Sequence, residues 1–495
     1  EYFGDPDHLA RRVDGRVAES CNVYNMLKLT RQLFAVRPDA FYADFHERAQ
    51  FNHVLSSMDS ADGRMSYMVP VGHREQQEYQ KPYEDFTCCV GTGMENHGLH
   101  GAGIYFDSAD KVWVNLYVPS TAQLERAGIA ISQDTTFPDG DSATLKITAA
   151  KPRALTLAVR RPWWAGDDFA ITVNGTALPQ PTLASMRAGG AGGNNSAGIE
   201  LPLPSSSYAE ITRVWKNGDT IELALPKTLH LQPAPDDRRV AAIMWGPLVL
   251  AGDQGARNEG RPDGAALAGS IPALVAGDRP LTEWIHTTSV PGNFTISQVA
   301  RLTADPARTV QTSLLPFYRT FEKQYSVYWD VITPTEFDAR ASAIASERER
   351  QLLLDAVTVG QVQPGNNESE KAANYQTDPA NRRPTRADGR TGRGGAGWFS
   401  YDLPIDAASP TATLVVTYYN GNVVPNTPPT AFDILVEGAV LAHMTPDSVP
   451  GFHDVTYALP AQAFQGKSKV TVRFQAGTDG RIAAIYGVRT LRTAQ

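Results

Sequence analysis

The residues of this chain best suited to chemistry are its three cysteines, which fall in two short segments of a 495-residue sequence. Cys88 and Cys89 are adjacent in the stretch KPYEDFTCCVGTGMENH, and Cys21 follows Glu19 by two positions. Three thiolates and one carboxylate complete a four-coordinate shell, and thiolate sulfur selects zinc over magnesium or calcium, which prefer all-oxygen shells. These four side chains, taken together, predict a zinc site.

Two other interpretations of the adjacent pair remain open. Free cysteine is among the most buried residue types, so the pair is also compatible with core packing. A disulfide between any two of the three thiols would leave one over. The surroundings favour a site, because carboxylates precede the pair and the run from Gly91 to Gly93 follows it, which predicts a polar, glycine-rich turn. Such loops carry binding residues more often than core segments do, although this one lacks the lysine of a phosphate-binding loop.

Two strings of the sequence, GRVAESCNVYNMLKLTRQLF and YEDFTCCVGTGMENHG, closely resemble the β-L-arabinofuranosidases of glycoside hydrolase families 127 and 146. The resemblance continues in KVWVNLYVPS, MWGPLVLAG and LPFYRTFEKQYSVYW, in the family's order, over the first two-thirds of the chain. It implies a retaining exo-glycosidase that hydrolyses terminal β-L-arabinofuranosides of plant-derived glycans or glycopeptides. The alternatives are a related glycosidase acting on another pectin-side-chain sugar, and a non-catalytic, zinc-stabilised carbohydrate-binding fragment.

The resemblance also assigns roles to residues. It implies that Cys88 is a zinc-bound nucleophile and that Glu1 is the acid/base. The zinc ligands that it implies are Glu19, Cys21, Cys88 and Cys89. Because Glu1 stands in the middle of the family's motif, we expect the chain to be a fragment whose upstream part is missing.

Further residues around the cysteine pair are candidates for substrate binding. These candidates are Tyr67, His73, Glu84 and His97. His97 and His100 lie one helical turn apart, a spacing that also suits a metal, but the four ligands already assigned make a hydrogen-bonding role the better interpretation.

Helical periodicity dominates the first hundred residues. Apolar spacings of three and four predict helices over 21–37 and 41–58, and a third beginning near Met94. Residues two apart do not share a helix face, so Glu19 and Cys21 face one ion only if the segment is still partly extended there. The resemblance implies that residues 1–108 are the C-terminal helices of an (α/α)6 catalytic barrel.

From Lys111 the hydrophobic period changes to two, which predicts strands separated by turns. We therefore expect a multidomain α+β protein in which antiparallel β-sandwich domains follow the barrel helices. Residues 109–337 are predicted to form a sandwich with an irregular return segment, 338–354 a helical linker, and 355–495 a C-terminal sandwich. The strand patterns are self-contained, so we expect the sandwiches to fold without the helices.

Composition limits the partners. A hydrophobic content of 42% marks a globular protein, and the net charge of −8 argues against nucleic acid or an anionic membrane surface as a partner. No apolar run is long enough to cross a bilayer. We expect zinc as cofactor, a carbohydrate as substrate and a periplasmic or extracellular location, whereas nothing in the sequence indicates the oligomeric state.

Overall fold

The computed structural model describes residues 18–81, 83–179, 206–257, 271–378, 384–387, 390–420, 431–445, 451–478 and 480–492. The chain divides into two compact units, the first comprising Glu1–Glu259 with Ile271–Asp338 and the second Gly260–Ser270 with Ala339–Gln495. Both helices and strands are present, and most of the described elements belong to β-sheets. Among the described helices, none is both long and apolar enough to span a bilayer.

The N-terminal elements form a helical segment, residues 18–98. It contains, in order, β1 (Ala18–Glu19), α1 (Ser20–Val36), α2 (Ala40–Ala49), a π-helix (Gln50–Val54), a 3-10 turn (Leu55–Ser57), β2 (Met68–Val69) and α3 (Cys88–Gly98). β1 pairs antiparallel with β2. The three α-helices described in this segment do not close a barrel by themselves, so the (α/α)6 barrel stays a prediction.

The third helix begins at Cys88 rather than near Met94. The run from Gly91 to Gly93, which predicted a turn, therefore lies inside α3. A Cβ at Gly93 would lie 2.9 Å from Cγ of Met65, so glycine is what lets the helix pack this closely against its neighbour. Tertiary packing here overrides the low helix propensity of glycine.

Two sheets follow the helical segment and face each other across one core. Their strands are β3 (Tyr105–Asp107), β4 (Lys111–Val114), β5 (Ser120–Leu124), β6 (Ile129–Thr135), β7 (Ser142–Thr148), β8 (Arg153–Arg161), β9 (Ala170–Val173), β10 (Thr176–Ala177), β11 (Ser207–Trp215) and β12 (Thr220–Ala224). One sheet has the order β10-β9-β12-β7-β6-β5 and the other β11-β8-β4-β3. Alternate residues of both sheets, such as Val112, Leu157 and Ile147, fill the shared core.

The sequence predicted antiparallel sheets, but one pair of strands departs from that prediction. β4 and β8 run parallel, with Val112 opposite Leu157. Parallel neighbours need a long crossover connection, and here the connection is made by β5, β6 and β7 of the facing sheet. Period-two patterns reveal which residues point inward but not which strands become neighbours.

The first unit also contains an eleven-stranded sheet. Its strands are β13 (Leu229–Pro233), β14 (Val240–Trp245), β15 (Leu248–Ala256), β16 (Pro272–Val275), β17 (Ile285–Thr287), β18 (Phe294–Ile296), β19 (Ala300–Leu302), β20 (Asp305–Thr309), β21 (Thr312–Pro316), β22 (Lys323–Ser326) and β23 (Tyr328–Ile332). Trp284 and Trp329 are fully buried in its core. The sequence predicted only an irregular return segment here, because these short strands carry weak patterns.

The second unit contains two further sheets. α4 (Pro334–Val357) leads into it from the first unit, and its other elements are β24 (Thr358–Val362), α5 (Asn367–Ala372), β25 (Gln376–Thr377), β26 (Thr385–Ala387), β27 (Arg390–Gly395), β28 (Trp398–Pro404), β29 (Ala412–Asn420), β30 (Phe432–Val436), β31 (Ala439–Met444), β32 (Gly451–Leu459), α6 (Ala461–Phe464), β33 (Lys469–Ala476) and β34 (Ile482–Arg492). One sheet has the order β26-β27-β34-β29-β32, with β24 also paired to β34, and the other is β25-β28-β33-β30-β31. A single apolar core lies between them.

The helical segment and the sheets of the first unit share buried contacts. Phe51 belongs to the same core as the strands. Arg160 of β8 is fully buried and forms ion pairs with Asp44 of α2, at 2.8 Å, and with Glu47. Nε1 of Trp164 donates to Oε2 of Glu47 at 2.9 Å. These contacts argue against the expectation that the strands fold without the helices.

Acid should destabilise the first unit through His53, which lies in the π-helix. Burial lowers the pKa of His53 from 6.5 to about 4, because the charged imidazolium is disfavoured away from water. The unfolded chain therefore binds a proton below about pH 6.5 that the folded chain does not bind until about pH 4. Stability falls as the pH decreases through that window, by up to about 3 kcal/mol.

The measurement is the free energy of urea unfolding at pH 7 and at pH 4.5. We expect the difference between the two values to shrink by about 2 to 3 kcal/mol in His53→Gln, which removes the titrating group. His286→Gln, at an exposed position of the same unit, is the matched control and should leave the difference unchanged. Equal pH dependence in the unmodified protein and His53→Gln would contradict the prediction.

Candidate metal centre and active site

The start of α1 orients two of the predicted ligands. Glu19 is the N-cap residue and is extended, with φ −85° and ψ 133°. Its strand pairs with β2, and the Ser20 amide donates to the carbonyl of Tyr67 at 3.1 Å. The backbone turns into the helix between Glu19 and Cys21, which is the partly extended geometry that their two-residue spacing requires.

The start of α3 supplies the other two ligands. Thr87 is the extended N-cap residue, so Cys88 and Cys89 are the first two residues of the helix. Cys21 likewise lies in the first turn of α1. Helix N-termini carry partial positive charge and favour thiolates over thiols. All three sulfurs therefore lie where two helix ends favour negative charge.

The donor atoms of Glu19, Cys21, Cys88 and Cys89 all lie within 4.8 Å of one another. Sγ of Cys89 is 3.3 Å from Sγ of Cys21 and 3.9 Å from Sγ of Cys88. Oε1 of Glu19 lies 3.7 Å from Sγ of Cys89 and 4.0 Å from Sγ of Cys88. In the described part of the chain, no other group of three or more His, Cys, Asp or Glu side chains converges in this way.

These distances suit a tetrahedral ion better than a disulfide. Sulfurs bound at about 2.3 Å to a tetrahedral zinc stand about 3.8 Å apart, close to the separations observed. A disulfide requires about 2.05 Å between sulfurs, and all three cysteines are free thiols. One carboxylate with three thiols is also a donor set that zinc accepts and that magnesium or calcium does not. The residues present therefore fit a zinc ion.

The three thiols differ in exposure and in acidity. Cys89 is fully buried, Cys21 is half-buried and Cys88 is exposed. A hydrogen bond with Cys21, and a weaker one with Tyr67, lowers the pKa of the Cys88 thiol. Burial raises the pKa of Cys21 and that of Cys89. Cys88 is thus the sulfur that a substrate can reach and the one most readily ionised.

Two hydroxyl groups lie against the sulfurs. The phenolic oxygen of Tyr67, a predicted substrate-binding residue, is 3.9 Å from Sγ of Cys88. Oγ1 of Thr92 is 3.3 Å from Sγ of Cys21 and donates to the Cys88 carbonyl at 3.2 Å. Sequence reasoning missed Thr92, because its spacing of four from Cys88 has meaning only if the glycine-rich run is helical.

The remaining predicted site residues lie apart from the sulfurs or outside the described residues. Glu84 is exposed and pairs with Lys81 at 3.0 Å. His97 stands nine residues after Cys88 on α3, about 13 Å further along the helix axis, and its Nδ1 contacts Nε2 of His100 at 3.0 Å. His73 is half-buried in the loop between β2 and α3. Glu1 lies outside the described residues.

Comparison with known protein families supports the resemblance carried by the cysteine motifs. The family described as β-L-arabinofuranosidase, GH127 catalytic domain, matches residues 1–101, which contain all four donors. The family described as GH127 middle domain matches residues 111–190. Residues 1–101 and 111–190 thus match two domains of glycoside hydrolase family 127. A family of unknown function, DUF6805, matches residues 353–491.

Solved GH127 structures are similar to part of this chain. A β-L-arabinofuranosidase from Geobacillus stearothermophilus T6 is 19% identical, covers 63% of this chain over 50% of its own length, and has a TM-score of 0.45. Another GH127 β-arabinofuranosidase is 20% identical over 63% of this chain and 49% of its own, also with a TM-score of 0.45. The chain therefore spans about half the length of these structures. A search of curated proteins found no match.

Proposed function

We propose that this protein is a retaining exo-glycosidase that releases terminal β-L-arabinofuranosides from plant-derived glycans or glycopeptides. The observation that carries the proposal is the exposed Cys88 thiol within a cluster of one carboxylate and three thiols in the GH127 catalytic region. The matches to two domains of a glycoside hydrolase family support a carbohydrate substrate. Because plant-derived glycans lie outside the cell, we also propose a periplasmic or extracellular location.

In this proposal, Glu19, Cys21, Cys88 and Cys89 hold a zinc ion. When bound, zinc keeps the coordinated sulfurs as thiolates and makes each of them a better leaving group. The extended Glu19 and the two helix starts hold these donors in place before metal arrives. The phenolic oxygen of Tyr67 lies 3.9 Å from Sγ of Cys88 and so helps to fix the position of that sulfur.

The chemistry proposed for the chain's own residues is a double displacement. Sγ of Cys88 attacks the anomeric carbon, the glycosidic C–O bond breaks, and Glu1 donates a proton to the departing oxygen. A covalent glycosyl–cysteine bond results. Glu1 then removes a proton from water, the water oxygen attacks the anomeric carbon, and the sulfur leaves as a thiolate. Two inversions give net retention, as in retaining glycosidases that use a carboxylate nucleophile.

A second candidate function is favoured by the closed donor set. Four protein donors fill a tetrahedral shell, and a closed shell is normally structural, whereas catalytic zinc keeps an open position. The alternative is therefore a non-catalytic carbohydrate-binding protein that zinc stabilises. A third alternative keeps the chemistry of Cys88 but acts on another pectin-side-chain sugar, since none of the described contacts selects the glycone.

Product analysis on a panel of 4-nitrophenyl furanosides and pyranosides tests the proposed function. We expect hydrolysis of the β-L-arabinofuranoside, with the β-anomer of arabinose formed first in a time-resolved proton NMR spectrum. The α-L-arabinofuranoside is the matched control and should not be cleaved. Hydrolysis of a different sugar would favour the third alternative, and no hydrolysis of any glycoside would favour the structural zinc.

A further inference from the structure

A cavity of about 540 Å³ lies within the second unit, apart from the cysteine cluster of the first. One wall is the part of α4 that belongs to this unit. Its lining residues recur at spacings of three and four, which places them on one face of the helix. They are Glu347, Arg350, Gln351 and Leu354. The helix therefore presents charged and amide groups to the cavity along two turns.

The opposite wall is the outer face of the six-stranded sheet. Thr417 of β29 stands opposite Asp454 of β32 on one side and Gly487 of β34 on the other. Their neighbours Val416 and Val488 point into the core, so this row points away from it. Gly487 has no side chain to project into the cavity, and a Cβ there would lie 2.8 Å from Oγ1 of Thr417. A small residue at this point leaves the floor of the cavity open.

The polar groups of the cavity are held in fixed orientations. Arg350 makes two bonds of 2.8 Å to the carboxylate of Glu347 and one of 3.0 Å to Asp454. Asp454 also accepts a hydrogen bond of 2.6 Å from Oγ1 of Thr417. Nε2 of Gln363 donates to the Tyr486 carbonyl at 2.8 Å. Donors and acceptors fixed before binding lose little conformational entropy when a ligand arrives.

One end of the cavity is aromatic. The rings of Phe452 and Tyr486 lie 5.2 Å apart in an edge-to-face arrangement, and both residues line the cavity. The guanidinium of Arg390 stands 4.5 Å from the centroid of the Phe452 ring. Arg390 is exposed, so a ligand can reach its guanidinium. An apolar ring face beside directed donors suits a molecule with both C–H and O–H groups.

The charges around the cavity balance. Three guanidiniums line it: Arg350, Arg390 and Arg489. The carboxylates of Glu347 and Asp454 also line it, and Asp355 pairs with Arg489. Three positive and three negative groups leave no net attraction for a phosphorylated ligand, and the polar lining does not suit a lipid chain. The chemistry of the cavity therefore favours a neutral, hydroxyl-rich molecule.

We propose that this cavity is a binding site for a neutral saccharide of one or two rings. Carboxylate, amide and guanidinium groups offer the paired acceptors and donors that adjacent hydroxyls require. The aromatic end receives the C–H face of a ring. The volume falls within the range of about 300–1,000 Å³ that is usual for small-molecule sites. The site is independent of Cys88 chemistry and would hold the protein on its substrate.

Isothermal titration calorimetry on the whole protein tests the proposal. The probes are arabinobiose, galactobiose and cellobiose, with inorganic phosphate and D-galacturonate as charged comparisons. We expect heat of binding from at least one neutral disaccharide. Arg390→Gln should weaken that binding at least ten-fold, because it removes a charged donor from an exposed position without disturbing the core.

Arg473→Gln is the matched control, since Arg473 stands 4.0 Å over the ring of Trp398 on the other sheet of the same unit and does not line the cavity. This variant should bind the disaccharide as the unmodified protein does. Three results would overturn the proposal: no heat from any neutral disaccharide, heat from phosphate or galacturonate only, or binding unchanged in Arg390→Gln. Far-UV circular dichroism and the melting temperature verify that each variant is folded.

Discussion

Replacing Cys88 by serine should lower the turnover of an activated β-L-arabinofuranoside by at least about 10³-fold, even in protein that retains zinc. A serine hydroxyl is far less acidic than a thiol and leaves a sugar less readily, so both displacements would fail. Cys88 is the exposed member of the cluster, and its pKa is lowered by the hydrogen bond with Cys21. Its replacement therefore removes the one accessible sulfur while three donors remain.

Cys89→Ser is the matched comparison, because it removes the neighbouring sulfur from a fully buried position. This variant should lose activity through weaker zinc binding, and added zinc should restore part of that activity, since metal binding and thiol deprotonation are linked. Metal analysis and initial rates over a zinc titration measure both effects. The unmodified protein should contain one zinc per chain and lose it to a chelator. Equal rescue of both variants would show that neither sulfur attacks the sugar.

Arg160→Met should lower the free energy of unfolding of the first unit by about 3–5 kcal/mol. Arg160 has no exposed surface and is the positive partner of Asp44 and Glu47. Without it, two carboxylates would remain buried near each other, and removing one partner of a buried ion pair has effects of this size. Burial already raises the pKa of Asp44 to about 6, against the opposing effect of Arg160.

Urea unfolding at pH 7 measures this change. Arg239→Met is the matched control, because Arg239 is 55% exposed and pairs with Asp237 at the surface, where an ion pair contributes under about 1 kcal/mol. Adding Glu47→Gln and Asp44→Asn to Arg160→Met should recover part of the loss, since the remaining groups are then neutral. A change no larger than that in the control would mean that this buried pair does not join the helices to the strands.

Residue types and spacing were sufficient to predict the donor groups of the cluster. Three cysteines and one carboxylate, in two short segments, were enough to group Glu19, Cys21, Cys88 and Cys89, because thiolate donors narrow the choice of metal. The family motifs could also be recognised in the sequence. The bounds of α1 and the change of hydrophobic period near Lys111 could be predicted as well, since each of these depends on neighbouring residues alone.

The differences between the three thiols come from tertiary packing and could not be predicted from the sequence. Adjacent cysteines are equivalent in a pattern, but in the first turn of α3 one faces solvent and the other faces the core. The same helix brings Thr92 to Cys21, and within it Gly93 packs against Met65, a residue 28 positions earlier. From the sequence alone, the glycine-rich run predicts a turn. The structure shows that Gly93 instead makes room for the side chain of Met65 against the helix.

Contacts between distant segments likewise make parts of the first unit depend on each other. The strands have complete period-two patterns, which predicted independent folding. Arg160, however, lies on the face of β8 opposite the core residues Leu157 and Val159, and its carboxylate partners come from α2, more than 110 positions earlier. The chain pattern shows a buried charge but not its partner. A buried guanidinium needs a carboxylate partner, because burying an unpaired charge is costly. The spacing of residues within one strand does not show which distant segment supplies that partner.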